Sequence, residues 1–430
     1  MRTSLTFTLP DLPKFKKQLL HWAQQFREVV FLDSNHYRQP YAYYDAVLAV
    51  DALTSVKTSC HGGFDALSEY QQITKDWLFG YLTYDLKNDT ENLGSGNFDG
   101  LAFPDLFFFQ PKKLFLLKGN ILEVQYLHVC DDEIGFDFQQ IINCEIEPPA
   151  GSPRPIIIRQ RIPEESYLDK VGQMLAHIRR GDIYEANFCM EFYAEDAVID
   201  PPAIYEKLNA ISAPPFAVYF KNHRHYLMSA SPERYLRKEG NRIISQPIKG
   251  TAGRSTDPAK DDALKLALAA NEKERSENIM IVDLVRNDLS RTAAKGSVAV
   301  EELCGTYTFK QVHHLISTVV SHLQEGVAPV DAIRTTYPMG SMTGAPKISA
   351  MQIIEKLEET KRGLYSGTVG YFTPDGDFDF NVVIRSILYN ADAKYASFSV
   401  GSAITSRASP EQEYEECLLK ARAMRQVLEG

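Results

Sequence analysis

An α+β fold built on sizeable antiparallel sheets is what the sequence predicts. Strand-like runs cluster along the chain and mix with helices, rather than alternating with them as strict βαβ units would. The helices themselves are delimited by caps that can be read from the residues. The first runs are aromatic and apolar: Trp77-Leu78-Phe79-Gly80-Tyr81 and Leu106-Phe107-Phe108-Phe109. Further strand-like runs cover 216–220, 366–372, 382–389 and 396–400. Asp257-Pro258 opens a helix rich in Ala, Leu and Lys, with proline at its first position. Ala345-Pro346-Lys347 opens another that runs to about 359. Ser409-Pro410-Glu411-Gln412 has the serine and glutamine of a capping box and launches a helix to about 427. The one composition break is Glu147-Pro148-Pro149-Ala150-Gly151-Ser152-Pro153-Arg154-Pro155, whose prolines cannot donate to a sheet ladder. It divides the chain into a β-rich N-terminal region, 1–147, and a larger region, 156–430.

The chain has 430 residues, 44% hydrophobic and 24% charged, with a formal net charge of -10. That is a soluble globular composition with enough apolar content for a large core. No basic stripe offsets the acidity, which argues against a nucleic-acid partner. No run is long enough to cross a bilayer, and the N-terminus lacks an apolar signal segment, so a cytoplasmic protein with no membrane partner is expected. Six cysteines are scattered without a CxxC pair, which fits free buried thiols. An acidic protein that takes an anionic substrate needs a metal ion or a few placed cations.

Two features point to chemistry. Lys249 stands inside the apolar run Pro247-Ile248-Lys249-Gly250-Thr251. It either lays its stem over apolar surface or is held as a reactive amine, since burial lowers a lysine's pKa and frees the lone pair. The second feature is two glutamate pairs spaced three apart, Glu274 with Glu277 and Glu413 with Glu416. Each pair projects two carboxylates from one helix face. Separate, the pairs are solvated acidic faces; joined by the fold, they make an oxygen-rich site for a hard cation such as Mg²⁺.

Further motifs surround these. They are Ser231-Pro232-Glu233-Arg234, Glu277-Asn278 leading into Asp283-Leu284-Val285-Arg286-Asn287-Asp288, and Val312-His313-His314-Leu315. Gly340-Ser341-Met342-Thr343-Gly344-Ala345-Pro346-Lys347, Gly367-Thr368-Val369-Gly370-Tyr371 and Val383-Ile384-Arg385-Ser386 follow. In this order they resemble the chorismate-utilising enzymes, the anthranilate synthase component I family, almost continuously over 167–424. The N-terminal third matches only loosely. The resemblance implies two large antiparallel β-sheets packed as a sandwich with flanking helices. Anthranilate-forming members usually have alanine in place of the lysine of Pro-Ile-Lys-Gly-Thr. Lys249 makes this chain similar to the branch whose component I converts chorismate and ammonia to 4-amino-4-deoxychorismate, toward p-aminobenzoate and folate. The alternative is anthranilate formation for tryptophan biosynthesis.

The resemblance assigns roles residue by residue. Lys249 is the nucleophile that adds at C2 of chorismate while the C4 hydroxyl departs, and Glu233 is the acid that protonates it, held protonated by a low-dielectric setting. His314 is either a second group near that hydroxyl or a structural histidine beside His313. Glu277 and Glu416 match direct Mg²⁺ ligands, with Glu274 and Glu413 acting through water. Arg385, Tyr365, Lys420 and Ser341 match partners of the substrate's anionic groups. Gly401-Ser402-Ala403 aligns with a glycine-rich turn whose amides face a carboxylate, and Gly250 and Thr251 shape the pocket beside the lysine. Asp283, Arg286, Asn287, Asp288 and Arg291 read instead as a buried polar network ending a helix.

Some residues depart from the family pattern. Glu185 stands where relatives commonly have glutamine and where water-using relatives have lysine, which argues against isochorismate synthesis; its carboxylate suits attraction of ammonium or acceptance of its proton. Ala403 stands where the family turn has glycine. The nearest run to the tryptophan-pocket signature is Phe31-Leu32-Asp33-Ser34, so tryptophan inhibition is not expected. No cysteine sits in a glycine-rich elbow with a following histidine, so a separate glutamine amidotransferase subunit is the expected ammonia source. No fused lyase is expected either, which leaves pyruvate elimination to another enzyme. A catalytically silent chorismate-binding subunit is disfavoured, because nucleophile, acid and metal ligands are all present.

Overall fold

A computed structural model describes residues 1–37, 41, 43–146 and 155–430, so the proline-rich division lies outside the described residues except for Pro155. Two antiparallel sheets form the sandwich. The first runs, neighbour to neighbour, through Arg2–Thr8, Ile121–Leu127, Leu106–Lys118, Ala46–Thr58, Glu28–Asp33 and Phe216–Asn222. It continues through His225–Ser231, Ser386–Asn390, Tyr395–Thr405 and Glu185–Ala194. The second runs from Leu78–Leu82 through Thr368–Phe372, Phe378–Asn381, Arg234–Glu239 and Arg242–Gln246 to Val312–His322. Val312–His322 also carries Ile248–Gly253 on one edge and Ala299–Thr308 on the other.

The long pair Ala46–Thr58 and Leu106–Lys118 joins the two sheets. Its register breaks between Ala52 and Thr54, and Asp51 sits at φ 60. A bulge of this kind bends a strand, so beyond it Leu106–Lys118 leaves Ile121–Leu127 and pairs with Leu78–Leu82 instead. Residues from both sides of the proline-rich stretch therefore build both sheets.

Burial explains why these runs are continuously apolar. Phe79, Phe108, Phe220, Leu236, Val319 and Phe380 fill the space between the sheets. The outer face of the first sheet is covered by helices that include Leu12–Ala23, Glu164–Arg180 and Pro410–Glu429, packed through residues such as Trp22, Met174 and Met424. Strands covered on both faces have no solvent side to alternate against. On the second sheet, helix Glu272–Ser290 turns Ile281, Val282, Val285 and Leu289 inward, one face of a 3.6-residue period.

Several predicted boundaries shift for local reasons. The run 382–389 is strand only over Ser386–Asn390, and Arg385, just before it, takes a left-handed φ of 54 that interrupts the extended backbone. Ser409 caps nothing through its side chain; its hydroxyl donates to Glu411 rather than closing a capping box. Asp257 does accept from the Ala259 amide as an N-cap. Cys130, Cys189, Cys304 and Cys417 are buried free thiols, whereas Cys60 and Cys144 are only partly covered. No helix among the described residues is long and apolar enough to cross a membrane.

One buried cation ties the site-bearing strand to its surroundings. The Arg362 guanidinium donates to Asn187 O at 2.7 Å and Met342 O at 2.6 Å, and pairs with Glu358 at 2.6 Å. Removing one partner of a buried pair leaves the other uncompensated. Arg362→Met is expected to lower unfolding free energy by about 3–5 kcal/mol in urea titrations.

Candidate active site

A cavity of about 1080 Å³ opens where helix Glu272–Ser290, on the second sheet, faces helix Pro410–Glu429, on the first. Strands Ile248–Gly253, Val312–His322 and Tyr395–Thr405 contribute its walls. Lys249, Glu233 and His314 all line it, as do Gly250, Thr251, Ser341, Tyr365, Arg385, Ala403, Lys420 and the four glutamates of the two helices.

The lysine is set by its strand. Register with Val312–His322 slips between Ile248 and Thr251, and Gly250 takes φ 94, a conformation that favours glycine. Asn278 fastens this irregular backbone, donating to Lys249 O at 3.3 Å and Leu315 O at 3.3 Å. The Lys249 ammonium lies 3.0 Å from Glu185 Oε1. Glu185 starts the strand Glu185–Ala194, and Ala345 pairs opposite it. A Cβ on the neighbouring Gly344 would fall 2.1 Å from Glu185 O, so only glycine permits this approach.

The ion pair corrects the sequence expectation for Lys249. Burial does push its pKa down, but Glu185, then Glu277 and Glu233, more than offset it, and the pKa lies above the ordinary lysine value. The resting side chain is an ammonium.

Glu233 behaves as expected. Burial pushes its pKa up to about 7, against the Ser341 hydroxyl, the Lys249 charge and the Ile248 amide, which favour the carboxylate. His314 is held neutral: burial, reinforced by Arg385, lowers its pKa to about 3. Its Nδ1 lies 3.2 Å from Gly250 O and 2.9 Å from Thr251 Oγ1. A carbonyl only accepts, so Nδ1 carries the hydrogen and Nε2 is left as an acceptor. His314 lines the cavity, whereas its neighbour His313 does not and is buried with Nε2 3.1 Å from Asp261 Oδ1.

The cationic side is equally defined. Arg385 makes no ion pair among the described residues; its Nη1 donates to Lys420 O at 3.3 Å, and burial lowers its pKa. An anion in the cavity is the partner such a guanidinium lacks. The Tyr365 hydroxyl is buried beside Cys189, 3.8 Å from its sulfur. Lys420 donates to Gly401 O at 2.8 Å and pairs with Glu416 at 2.5 Å. The stretch Gly401-Ser402-Ala403 is not a turn but lies within strand Tyr395–Thr405, opposite Asn187, Phe188 and Cys189. Ser402 points away from the cavity wall and donates to Glu413.

The fold joins the two glutamate pairs at the cavity. Lys273, which sequence reasoning passed over, stands between the helices, 3.9 Å from Glu277 and 3.8 Å from Glu413. Its position immediately before Glu274 was the available signal. Burial raises the pKa of Glu274, of Glu413, and of Glu277 to about 7, whereas the Lys420 ion pair outweighs burial and lowers that of Glu416. Glu277 Oε1 is buried without a hydrogen bond. All-carboxylate donors of this kind fit a hard cation. Among the described residues no three acidic, His or Cys side chains are already spaced to close around one.

The predicted network around Asp288 differs. Asp283 and Arg286 are exposed and pair with each other at 2.7 Å; only Asp288 is buried, paired with Lys347 at 2.5 Å. That helix end is reached by water, so its polar groups need no buried partners.

A β-sandwich that presents a buried lysine, a carboxyl group of raised pKa and an unpaired arginine to one cavity suits a small anionic ligand. The chain belongs to the family of chorismate binding enzymes, whose pattern matches residues 27–426. It is 40% identical over 262 residues to a chloroplastic aminodeoxychorismate synthase of Arabidopsis thaliana, covering 60% of this chain but spanning only 28% of that protein. Aminodeoxychorismate synthase component 1 of Bacillus subtilis is 32% identical over 366 residues, covering 81% of this chain and 76% of the relative. Anthranilate synthase component 1 of Thermus thermophilus is 35% identical over 362 residues, covering 82% and 77%. The crystal structure of anthranilate synthase component I from Streptococcus pneumoniae superposes with a TM-score of 0.77 at 25% identity, covering 90% of this chain and 93% of that one.

Glu233 makes stability pH-dependent with a definite sign. Its folded pKa is raised from 4.5 to about 7, so its contribution is fully present below pH 4.5 and is lost as pH rises through about 7. In urea titrations, Glu233→Gln is expected to gain about 3 kcal/mol relative to wild type between acid pH and pH 8. Equal pH dependence in the two proteins would contradict a buried, neutral Glu233.

Proposed function

We propose that this chain aminates chorismate to 4-amino-4-deoxychorismate, acting as the component I type of synthase. The observation that carries this reading is the pairing, in one cavity, of Lys249 with a carboxylic acid, Glu233, that is half protonated at neutral pH. Hydroxide is a poor leaving group, so allylic substitution at C4 needs a proton donor there and a nucleophile at C2. Lys249 attacks C2, Glu233 protonates the departing C4 hydroxyl, and ammonia replaces the lysine through the reverse allylic shift. His314 Nε2, an acceptor, orients the hydroxyl hydrogen rather than donating a proton. Arg385, Lys420, Tyr365 and Ser341 hold the anionic groups.

Glu277 and Glu416 would hold Mg²⁺ directly, with Glu274 and Glu413 acting through water. When bound, the ion supplies charge neutralisation for a substrate carboxylate. The names of the component 1 relatives imply a second component, for which we propose a glutamine amidotransferase that delivers ammonia.

Anthranilate formation is the second reading, favoured by the extent of the match to the Thermus protein. Product analysis separates the two. Incubated with chorismate, Mg²⁺ and ammonium, the protein is expected to accumulate aminodeoxychorismate, convertible to p-aminobenzoate by an added lyase. Lys249→Ala is expected to lower turnover by at least about 10³-fold, and EDTA to abolish it until Mg²⁺ is restored. Anthranilate as the main product would move the chain to the second reading.

A further inference from the structure

Lys249 rests as an ammonium, which has no lone pair, so attack on carbon needs a proton acceptor that the reading above leaves unassigned. Five carboxylates face it: Glu185 from strand Glu185–Ala194, Glu233 from the loop before Arg234–Glu239, Glu274 and Glu277 from helix Glu272–Ser290, and Glu416 from helix Pro410–Glu429. Among the described residues Glu185 alone pairs directly with the ammonium, at 3.0 Å. It is 1% exposed, its Oε2 is buried without a hydrogen bond, and it is not among the residues that line the cavity. Of the other four, Glu233 holds a proton, Glu416 pairs with Lys420, and Glu274 and Glu277 make no ion pair with Lys249 among the described residues.

We propose that Glu185 is the proton acceptor of Lys249, the two sharing one proton so that the amine is freed without exchange with water. The inference rests on Lys249 being the nucleophile. The ammonium passes a proton to Glu185 Oε1, leaving a neutral amine beside a carboxylic acid. The Nζ lone pair forms the N–C2 bond, the ring double bond shifts, and the C4–O bond breaks with a proton from Glu233, releasing water. Ammonia then forms the C4–N bond as the C2–Nζ bond breaks. The new C4 ammonium returns a proton to Glu233, and Glu185 returns its proton to Lys249. Summed, chorismate and ammonia give the amino product and water.

The consequence is a distinctive pH dependence. Transfer within the pair leaves its proton count unchanged, so the supply of amine does not depend on pH. Without Glu185 the proton must leave for solvent, and the amine fraction rises about tenfold per pH unit below the lysine pKa. Acylation of Lys249 by p-nitrophenyl acetate, read by peptide mass spectrometry from about pH 6 to 8.5 with exposed Lys260 as internal reference, measures this without chorismate. Wild-type Lys249 is expected to label at a nearly constant rate while Lys260 rises about tenfold per unit, and Glu185→Gln is expected to give Lys249 that same slope. With chorismate, Glu185→Gln turnover is expected to acquire the same acid-side slope, with KM unchanged, since Glu185 is not in the cavity wall. A unit slope for wild-type Lys249, or parallel slopes in the two proteins, overturns the assignment. The wild-type measurement decides even if the variant does not fold. Absence of aminodeoxychorismate would instead sink the functional reading and leave the labelling result standing.

Discussion

A single buried ammonium holds together a site made largely of carboxylates. Glu185, Glu233, Glu274, Glu277 and Glu416 all act on Lys249 or feel its charge. Brought together without it, these groups would repel and take up protons until the cluster was neutral. The lysine allows them to differ. Glu185 stays paired at 3.0 Å, and Glu233 is neutral for about half the time near pH 7. Environments that separate the ionisation of like groups are how neighbouring carboxyls come to differ in protonation state.

That arrangement depends on both sheets at once. The lysine comes from an irregular strand of the second sheet, its partner Glu185 from the strand Glu185–Ala194 of the first. The facing helices that bring the glutamates rest one on each sheet. The bent ribbon Ala46–Thr58 with Leu106–Lys118, far from the cavity, is therefore part of what aligns it, because it fixes how the sheets sit against one another. Local anchors complete the placement: Asn278 on the Lys249 carbonyl, Gly344 against the Glu185 carbonyl, and Arg362 on Asn187.

Fold class was legible because clustered apolar runs and capped helices are local signals. The sites of Lys249, Glu233, Arg385 and the glutamate pairs were legible because their motifs are contiguous. What could not be read locally is what depends on neighbours distant in sequence. The Lys249 pKa is the plainest case: burial was foreseeable from Ile248 and Pro247, but its sign is reversed by Glu185, 64 residues earlier. Arg385 breaking the predicted strand, Ser402 turning to Glu413, and Asp283 and Arg286 remaining in water belong to the same class. Each is decided by which face of an element meets its tertiary partner, a choice that propensity and spacing do not encode.

The electrostatics also argue for an order of events. With Arg385 unpaired among the described residues and Lys273 lodged between the glutamates, the resting cavity holds one cation free to meet an anion and one bridging the helices. A substrate with carboxylates meets Arg385 first, since that guanidinium gives up no ion pair to receive it. A divalent cation, by contrast, would compete with the Lys273 ammonium for Glu277 and Glu413, and its entry would be most favourable once added negative charge let the site hold both. Substrate and metal binding should then each strengthen the other, and the reciprocity follows from linkage. A site arranged this way would take the anion at Arg385 first and would hold a divalent cation best once that anion is in place.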